Sequence, residues 1–132
     1  MLPNYWKYIT LKSLIKSYFL LYYIKGGMKV NYIYEAHRIY VNNEEGKMIV
    51  NATFPMLKPG VVVVDHTFVD PSLRGQGIAS QLMHEVVNYA KKQGYKMTAT
   101  CPYAVVWFKK HPEEKDILDE LEQAKLAPEC HI

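Results

Sequence analysis

Four consecutive valines, at positions 61 to 64, constrain the fold of this chain more than any other feature of its sequence. A strand presents alternate side chains on its two faces, so an unbroken run of β-branched residues predicts a strand that is covered on both sides. The extended pattern continues to Val69, and a glycine-containing turn and a helical pattern follow it. We therefore predict a central strand over 61–69, buried between the layers of a compact α/β (α+β) fold.

Antiparallel strands are predicted on the N-terminal side of this central strand. Val30, Tyr32 and Tyr34 alternate with polar residues, and the extended pattern runs on to Val41. The turn-like segment 42–46 separates it from a further strand over 47–54. A β-hairpin is the expected result.

A helix, a strand and two shorter helices are predicted on the C-terminal side. Apolar residues at helical spacing predict a helix that ends at Gly94, a residue suited to the C-cap. A strand over 95–100 then makes a right-handed parallel crossover the expected connection. A short helix over 103–110 stops before Pro112, and a charged helix is predicted over 114–125, with Ile117, Leu118 and Leu121 on its apolar side.

The charge of the chain is unevenly distributed. Four of its 16 lysines and arginines lie in the first 27 residues, which contain no acidic residue. Residues 28–132 hold the other 12 against 13 Asp and Glu, a net charge of −1. No basic stripe remains there to favour nucleic acid as a partner. We predict an extension over 1–27, a domain over 28–118 and a C-terminal tail over 119–132.

Three interpretations of the extension stay open. As a helix, residues 5–24 would place an apolar face and a lysine-rich face on opposite sides, as in a helix lying on a membrane surface, although membrane contact is not favoured. A signal peptide is poorly supported, because the apolar stretch 18–24 is short and no small-residue cleavage site follows. The abrupt change in composition also fits an upstream translated frame, with the true start at Met28.

The cysteines indicate the cellular environment. Cys101 and Cys130 are too few for a disulfide framework, and their spacing matches no zinc motif. We expect free thiols, no metal and a cytoplasmic location.

The turn after the central strand has the composition of an anion-binding loop. Gly75 and Gly77 can adopt backbone angles closed to other residues, so successive N–H groups can converge on one anion. The N-terminus of the following helix favours negative charge. The segment lacks the Lys-Ser/Thr step of a Walker loop and the third glycine of a dinucleotide fingerprint, so the expected anion is neither ATP nor NAD.

The segment from Thr67 to Ala79 resembles motif A of the GNAT superfamily of N-acetyltransferases. The core of that motif is Gln or Arg, any two residues, Gly, any residue, and Gly or Ala; Arg74, Gly77 and Ala79 fill these places. The pairs His66-Thr67 and Cys101-Pro102 are similar to those of short Yjdj-type members. The resemblance covers approximately residues 29–118.

This resemblance implies acetyl-CoA as the cosubstrate. The backbone of a six-residue segment would hold its pyrophosphate: Arg74, Gly75, Gln76, Gly77, Ile78 and Ala79. The backbone of Phe68 and Val69 would pair with pantetheine like an additional strand. The acceptor would be a small-molecule amine or an exposed amine of a protein.

Three residues are candidates for the chemistry. His66 lies in the strand that commonly supplies the base in this superfamily, and imidazole exchanges protons near neutral pH; a buried histidine that never touches substrate is the alternative. Cys101, at the end of the next strand, could lie beside the acetyl group or accept it, or could simply be a small core residue. Tyr103 could protonate the leaving thiolate or pack against Trp107. Phe108 stands where the superfamily usually has its tyrosine acid.

Two functions remain open at this stage. The first is N-acetyl transfer from acetyl-CoA to an amine, with His66 as base or substrate ligand and Cys101 near the acetyl group. The second is a sensor or carrier module that binds acetyl-CoA without turnover, which the missing tyrosine permits. The sequence does not identify the acceptor or the oligomeric state.

Overall fold

A computed structural model describes residues 30–132. The predictions for residues 1–27, among them membrane contact through 5–24, lie outside the described residues. Within 30–132, no helix combines the length and the apolar character needed to cross a bilayer.

Seven strands and three α-helices form the described part of the chain. In chain order they are β1 Ile33–Glu35, β2 Arg38–Asn42, β3 Met48–Thr53, β4 Met56–Lys58, β5 Val61–Val64, β6 His66–Val69, α1 Ile78–Gln93, β7 Lys96–Ala99, α2 Pro102–Lys110 and α3 Glu120–Ala124. One sheet has the order β1-β2-β3-β6 and is antiparallel throughout. The other has the order β4-β5-β7, with β5 and β7 parallel. The predicted hairpin is confirmed as β2–β3.

The predicted single strand over 61–69 is wrong in one respect, because it divides into β5 and β6, which belong to different sheets. The division occurs at Asp65, whose N–H donates to the carbonyl of Thr53 while its carboxylate accepts from the Thr53 hydroxyl. These bonds tie the second half of the run to β3. The carbonyl of Val64 instead accepts from the N–H groups of Thr100 and Cys101, both at 3.0 Å, and so ties the first half to β7. The sheets therefore diverge at Asp65.

The first half of the valine run is covered completely on one side and in part on the other, where Val63 is half-buried. Val62 and Val64 are completely buried, and Val61 nearly so. The helix α1 packs against β2, β3, β6 and β7 and so covers both sheets. It ends as predicted, with Gly94 in the left-handed conformation at its C-cap, and it links the parallel strands β5 and β7.

The predicted helix over 114–125 is also wrong. A 3-10 turn occupies Pro112–Ile117, Leu118 is extended beside β7, and α3 is the one α-helix among the described residues that follow. Leu121, expected on the apolar side, is 79% exposed. The reason lies in tertiary structure, because Leu118 is buried and the Asp119 N–H donates to the carbonyl of Met97 at 2.9 Å.

A glutamine side chain continues this cover along the outer edge of β7. Gln123 is buried, accepts from the N–H of Ala99 at 2.8 Å and donates to the carbonyl of Ala99 at 2.9 Å. It also donates to the carbonyl of Cys130. The side-chain amide thus satisfies the backbone groups that a neighbouring strand would otherwise take.

Candidate functional site

The segment 74–77, which joins the turn after β6 to α1, is called the glycine loop below. A cavity of about 400 Å³ lies between β6, the glycine loop and the first turns of α1 and α2. None of the described residues that line it is acidic, and Arg74 is the cationic one among them. The full lining is Thr67, Phe68, Val69, Leu73, Arg74, Gly75, Gly77, Ile78, Ala79, Ser80 and Tyr103. The electrostatic character of the cavity therefore favours an anionic group.

An aspartate fixes the entry into the glycine loop. The Asp70 carboxylate accepts from the N–H and the hydroxyl of Ser72 at the start of the 3-10 turn Pro71–Leu73. These hydrogen bonds, with a smaller effect of Lys47 at 3.7 Å, lower the pKa of the Asp70 carboxyl. Because the carboxylate is held in its charged form, the turn before Arg74 is stabilised at neutral pH.

Both glycines of the loop have positive φ angles. Gly75 lies at φ 84° and Gly77 at φ 74°, in the left-handed region where a side chain is strained. A Cβ at either position would meet no atom within 4 Å, so the requirement for glycine is conformational rather than steric. With its left-handed angle, Gly77 forms the N-cap at which α1 begins.

Among residues 30–132, no side chain caps the N-terminus of α1. Gly77 occupies the N-cap position, and the first turn of the helix contains no acidic residue. Gln81 is the first residue whose N–H donates within the helix, to the carbonyl of Gly77 at 3.1 Å. The amides of Ile78, Ala79 and Ser80 precede it and are thus available to a ligand at the positive end of a 16-residue helix.

The strand β6 lies at the edge of its sheet and borders the same cavity. The Asp70 N–H donates to the carbonyl of Ile49 at 2.8 Å, in the register that sets Phe68 opposite Asn51. Since bonded and non-bonded pairs alternate along antiparallel strands, the N–H and C=O of Phe68 face Asn51. Those of Thr67 and Val69 face the free edge.

A thiol lies behind this edge. Cys101 Sγ is 3.3 Å from Thr67 Oγ1, and the cysteine is buried, with 6% of its surface exposed. Cys101 occupies the N-cap position of α2, and Pro102 is the first residue of that helix. The thiol is therefore held between β6 and the start of α2, although it does not itself line the cavity.

A tyrosine provides a hydroxyl group at the cavity wall. Tyr103 lines the cavity and is 39% exposed. Partial burial raises the pKa of its phenol, which therefore stays protonated at neutral pH. Phe108, at the position of the superfamily's usual tyrosine, is buried and packs edge-on against Trp107.

His66 lies apart from this group. It is exposed and precedes Thr67 in β6, so its side chain points to the face of the strand opposite that of Thr67. It is next to Asp65, where the two sheets separate, and it is not among the cavity-lining residues.

The structure thus brings together most of the residues singled out in the sequence. Phe68, Val69 and Tyr103 share one cavity with the loop and the start of α1, whereas Gln76 and Cys101 are outside its lining. Sequence reasoning assigned no role to Leu73 or Ser80, and it mentioned Thr67 only as part of a motif. Period-two alternation from Val69 could have indicated Thr67, but no sequence signal indicates Ser80.

Comparison with known proteins identifies the family. A family model described as GCN5-related N-acetyl-transferase matches residues 38–117, which include the entire cavity lining. This chain belongs to the GCN5-related N-acetyltransferases. As a member of this family it is an acyltransferase. No curated protein sequence matches it.

Solved structures agree with the fold of a GCN5-related N-acetyltransferase. The NMR structure of a GCN5-like protein from Staphylococcus aureus has 24% sequence identity and a TM-score of 0.58, and the match covers 67% of this chain and 87% of that one. The mixed α/β (α+β) fold class is thereby confirmed.

Two further structures are less similar. An acetyltransferase from Bacillus cereus is 26% identical over 67% of this chain and 64% of its own, with a TM-score of 0.43. A GNAT family N-acetyltransferase from Escherichia coli, solved in complex with CoA, is 25% identical over 47% of this chain and 38% of its own, with a TM-score of 0.42.

Proposed function

We propose that this chain transfers the acetyl group of acetyl-CoA to the amine of a small molecule or to an exposed amine of a protein. The observation that supports this most is the uncapped N-terminus of α1, which opens with two left-handed glycines onto a cavity free of acidic side chains. Successive N–H groups, a helix dipole and Arg74 together suit a pyrophosphate.

The free edge of β6 suits the pantetheine arm. Thr67 and Val69 present unpaired N–H and C=O groups there, and an extended amide chain can bind to them as an additional strand. This arrangement leads the thioester along β6 toward Thr67, whose hydroxyl contacts Cys101. The side chain of Phe68 contributes to the cavity wall.

In acetyl transfer the amine nitrogen replaces the CoA sulfur on the acetyl carbon, and two protons are transferred. The amine nitrogen bonds to the thioester carbon, the carbon–sulfur bond breaks, the nitrogen loses a proton and the sulfur gains one. Tyr103, protonated at neutral pH and in the cavity wall, is the proposed proton donor to the sulfur. His66, next to Asp65 where the two sheets diverge, is the proposed base or acceptor ligand.

We assign Cys101 a place near the acetyl group without a covalent role. Its thiol is buried and is hydrogen-bonded to Thr67. If the amine attacks the thioester carbon directly, the Cys101 thiol takes no part in bond formation and can stay in this position.

The test is release of free CoA from acetyl-CoA in the presence of a panel of small amines and peptides. Amine-dependent release, reduced at least tenfold by His66→Ala or by Tyr103→Phe, is the expected result. His131→Ala, which changes an exposed histidine far along the chain from the site, serves as the control. Tight CoA binding with no amine-dependent release from any amine would instead favour a sensor or carrier of acetyl-CoA.

A further inference from the structure

A second cavity, of about 450 Å³, lies at the C-terminal end of α2 and shares no lining residue with the cavity at the glycine loop. Part of its wall comes from the end of α2 and from the 3-10 turn Pro112–Ile117. The rest comes from residues within 118–132, which follow the region 38–117 that the family model matches. Small-molecule sites have volumes of roughly 300–1,000 Å³, so the cavity is large enough to hold a ligand.

The inner lining of this cavity is apolar. Phe108 and Leu118 are buried side chains of the lining, and Pro112, Ala124 and Ile132 also line it. A polar group placed against these side chains would lose its hydrogen bonds to water without replacement. The part of a ligand that enters the cavity must therefore be apolar.

The buried polar side chain of the lining does not change this requirement. Gln123 uses its Nε2 to donate to the carbonyls of Ala99 and Cys130, and its Oε1 accepts from the N–H of Ala99. A side-chain amide has two protons to donate, and both are engaged here. Gln123 thus has no donor left for a ligand.

The charged groups of the lining are exposed and lie at the rim of the cavity. Lys109, Lys115 and Glu120 are all exposed. The ammonium of Lys115 forms an ion pair with the carboxylate of Glu120 at 3.2 Å. Lys109 forms no ion pair among residues 30–132. One positive charge at the rim is therefore uncompensated, and it favours a ligand with a single negative charge.

We propose that this cavity binds a small carboxylate with an unbranched apolar chain, such as a medium-chain fatty acid. The chain occupies the apolar interior, and the carboxylate lies at the rim beside Lys109. The inference does not depend on the proposed acetyl transfer, because the two cavities have no residue in common.

Octanoate is a suitable probe, and amide NMR measures and locates its binding. We expect octanoate to shift the amide signals of Leu118, Ala124 and Ile132 and to leave those of Gly75 and Gly77 unchanged. Hexanoate is shorter by two methylenes and should bind roughly fifteenfold more weakly, since each buried methylene changes affinity about fourfold. Octan-1-ol, which has no charge, should bind about threefold more weakly than octanoate, and octylamine more weakly still.

Two pairs of variants test the interior and the rim separately. Ala124→Phe fills the cavity from an exposed position and should weaken octanoate binding at least tenfold, whereas Ala127→Phe, exposed and outside the lining, should not. Lys109→Gln should weaken binding about threefold, the size of an exposed ion pair. Lys110→Gln, at the next position of α2 and outside the lining, is the control and should leave binding unchanged.

Several results would overturn the proposal. The absence of octanoate-dependent shifts at millimolar ligand would exclude the site, and shifts that centre on the glycine loop and vanish with CoA would place octanoate in the other cavity. Equal binding of octanoate and octylamine, or equal losses in Lys109→Gln and Lys110→Gln, would exclude the carboxylate contact. A dimer in sedimentation that Ala124→Phe disrupts would assign the cavity to a second copy of this chain. Each of these results leaves the proposed acetyl transfer standing.

Discussion

Single residues in the glycine loop determine where the backbone N–H groups point. Gly77 and Gly94 have nearly the same positive φ angle, 74° and 73°, at opposite ends of α1, and neither is crowded at the Cβ position. The two positions therefore have the same conformational requirement, but only Gly77 lines the cavity.

This pair permits a matched comparison. We expect Gly77→Ala and Gly94→Ala each to lower the free energy of unfolding by roughly 1–2 kcal/mol, the cost of a left-handed alanine. Only Gly77→Ala should also weaken CoA binding, because a relaxed backbone turns the adjacent N–H groups away. Urea unfolding and CoA titration measure the two effects. Equal CoA affinity in both variants would contradict the proposed pyrophosphate site.

The role of Cys101 is also a question at the residue scale. After treatment with acetyl-CoA alone, we expect intact mass spectrometry to detect no acetyl group on this thiol, and Cys101→Ser to retain acetyl transfer within about threefold, because the buried thiol does not line the cavity. An adduct that persists in Cys130→Ser but disappears in Cys101→Ser would instead establish a covalent route.

At the scale of elements, a side chain pairs with the backbone at the outer edge of β7. The short helix α3 is oriented by Asp119, whose carboxylate accepts from the Glu122 N–H at 3.0 Å, and it delivers Gln123 to the backbone of Ala99. Residues 119–132, predicted as a tail beyond the domain, thus contribute a buried side chain to the sheet edge. We propose that they belong to the folding unit.

Replacing this glutamine tests that proposal. Gln123→Leu introduces an apolar side chain of similar size and leaves the N–H and C=O of Ala99 without the Gln123 amide as partner, so we expect a loss of about 2–4 kcal/mol in the free energy of unfolding. Leu121→Gln, on the exposed side of the same helix, should change it by less than about 0.5 kcal/mol. Equal, small effects in urea unfolding would show that the edge is satisfied in some other way.

At the scale of the whole molecule, ionisable groups on different elements set the pH range of stability. Hydrogen bonds from Ser72 lower the pKa of Asp70, and the hydrogen bond from Lys58 lowers that of Glu122. Burial and the hydrogen bond to Glu85, 2.6 Å away, raise the pKa of Tyr34, which joins β1 to α1. The acidic and alkaline limits thus have separate origins.

The carboxyl groups and the phenol lose their contributions to stability in opposite directions of pH. A carboxyl whose pKa is lowered on folding stabilises fully above its unfolded value near 4, and its contribution is lost as the pH falls through the lower folded value. A phenol whose pKa is raised stabilises fully below about 10, and its contribution is lost as the pH rises through the higher folded value.

We therefore expect the free energy of unfolding to fall below about pH 4 and again above about pH 10. Tyr34→Phe should reduce the loss of stability above about pH 10 and leave the loss below about pH 4 unchanged. Tyr89→Phe, which removes the hydroxyl of a ring that stacks on Tyr34, should change neither. Urea unfolding across the pH range checks this. If the loss of stability at alkaline pH is unchanged in Tyr34→Phe, other ionisable groups cause it.

Local sequence patterns were sufficient for much of the fold and the loop. The hairpin, the extent of α1, its Gly94 cap and the left-handed glycines of the loop follow from side-chain periodicity and from backbone angles that only glycine adopts readily. These features depend on residues that are close in sequence, so the sequence by itself determines them.

Tertiary structure decided the rest. The break at Asp65 depends on hydrogen bonds to Thr53, and the unwinding around Leu118 depends on the edge of β7, so neither is visible in a local pattern. The hydrogen bond from Trp107 to Ser80, 27 positions apart, is likewise a product of packing. The sequence determined that a strand, a glycine loop and a helix would follow one another, whereas contacts between distant residues decided which side chains surround the loop.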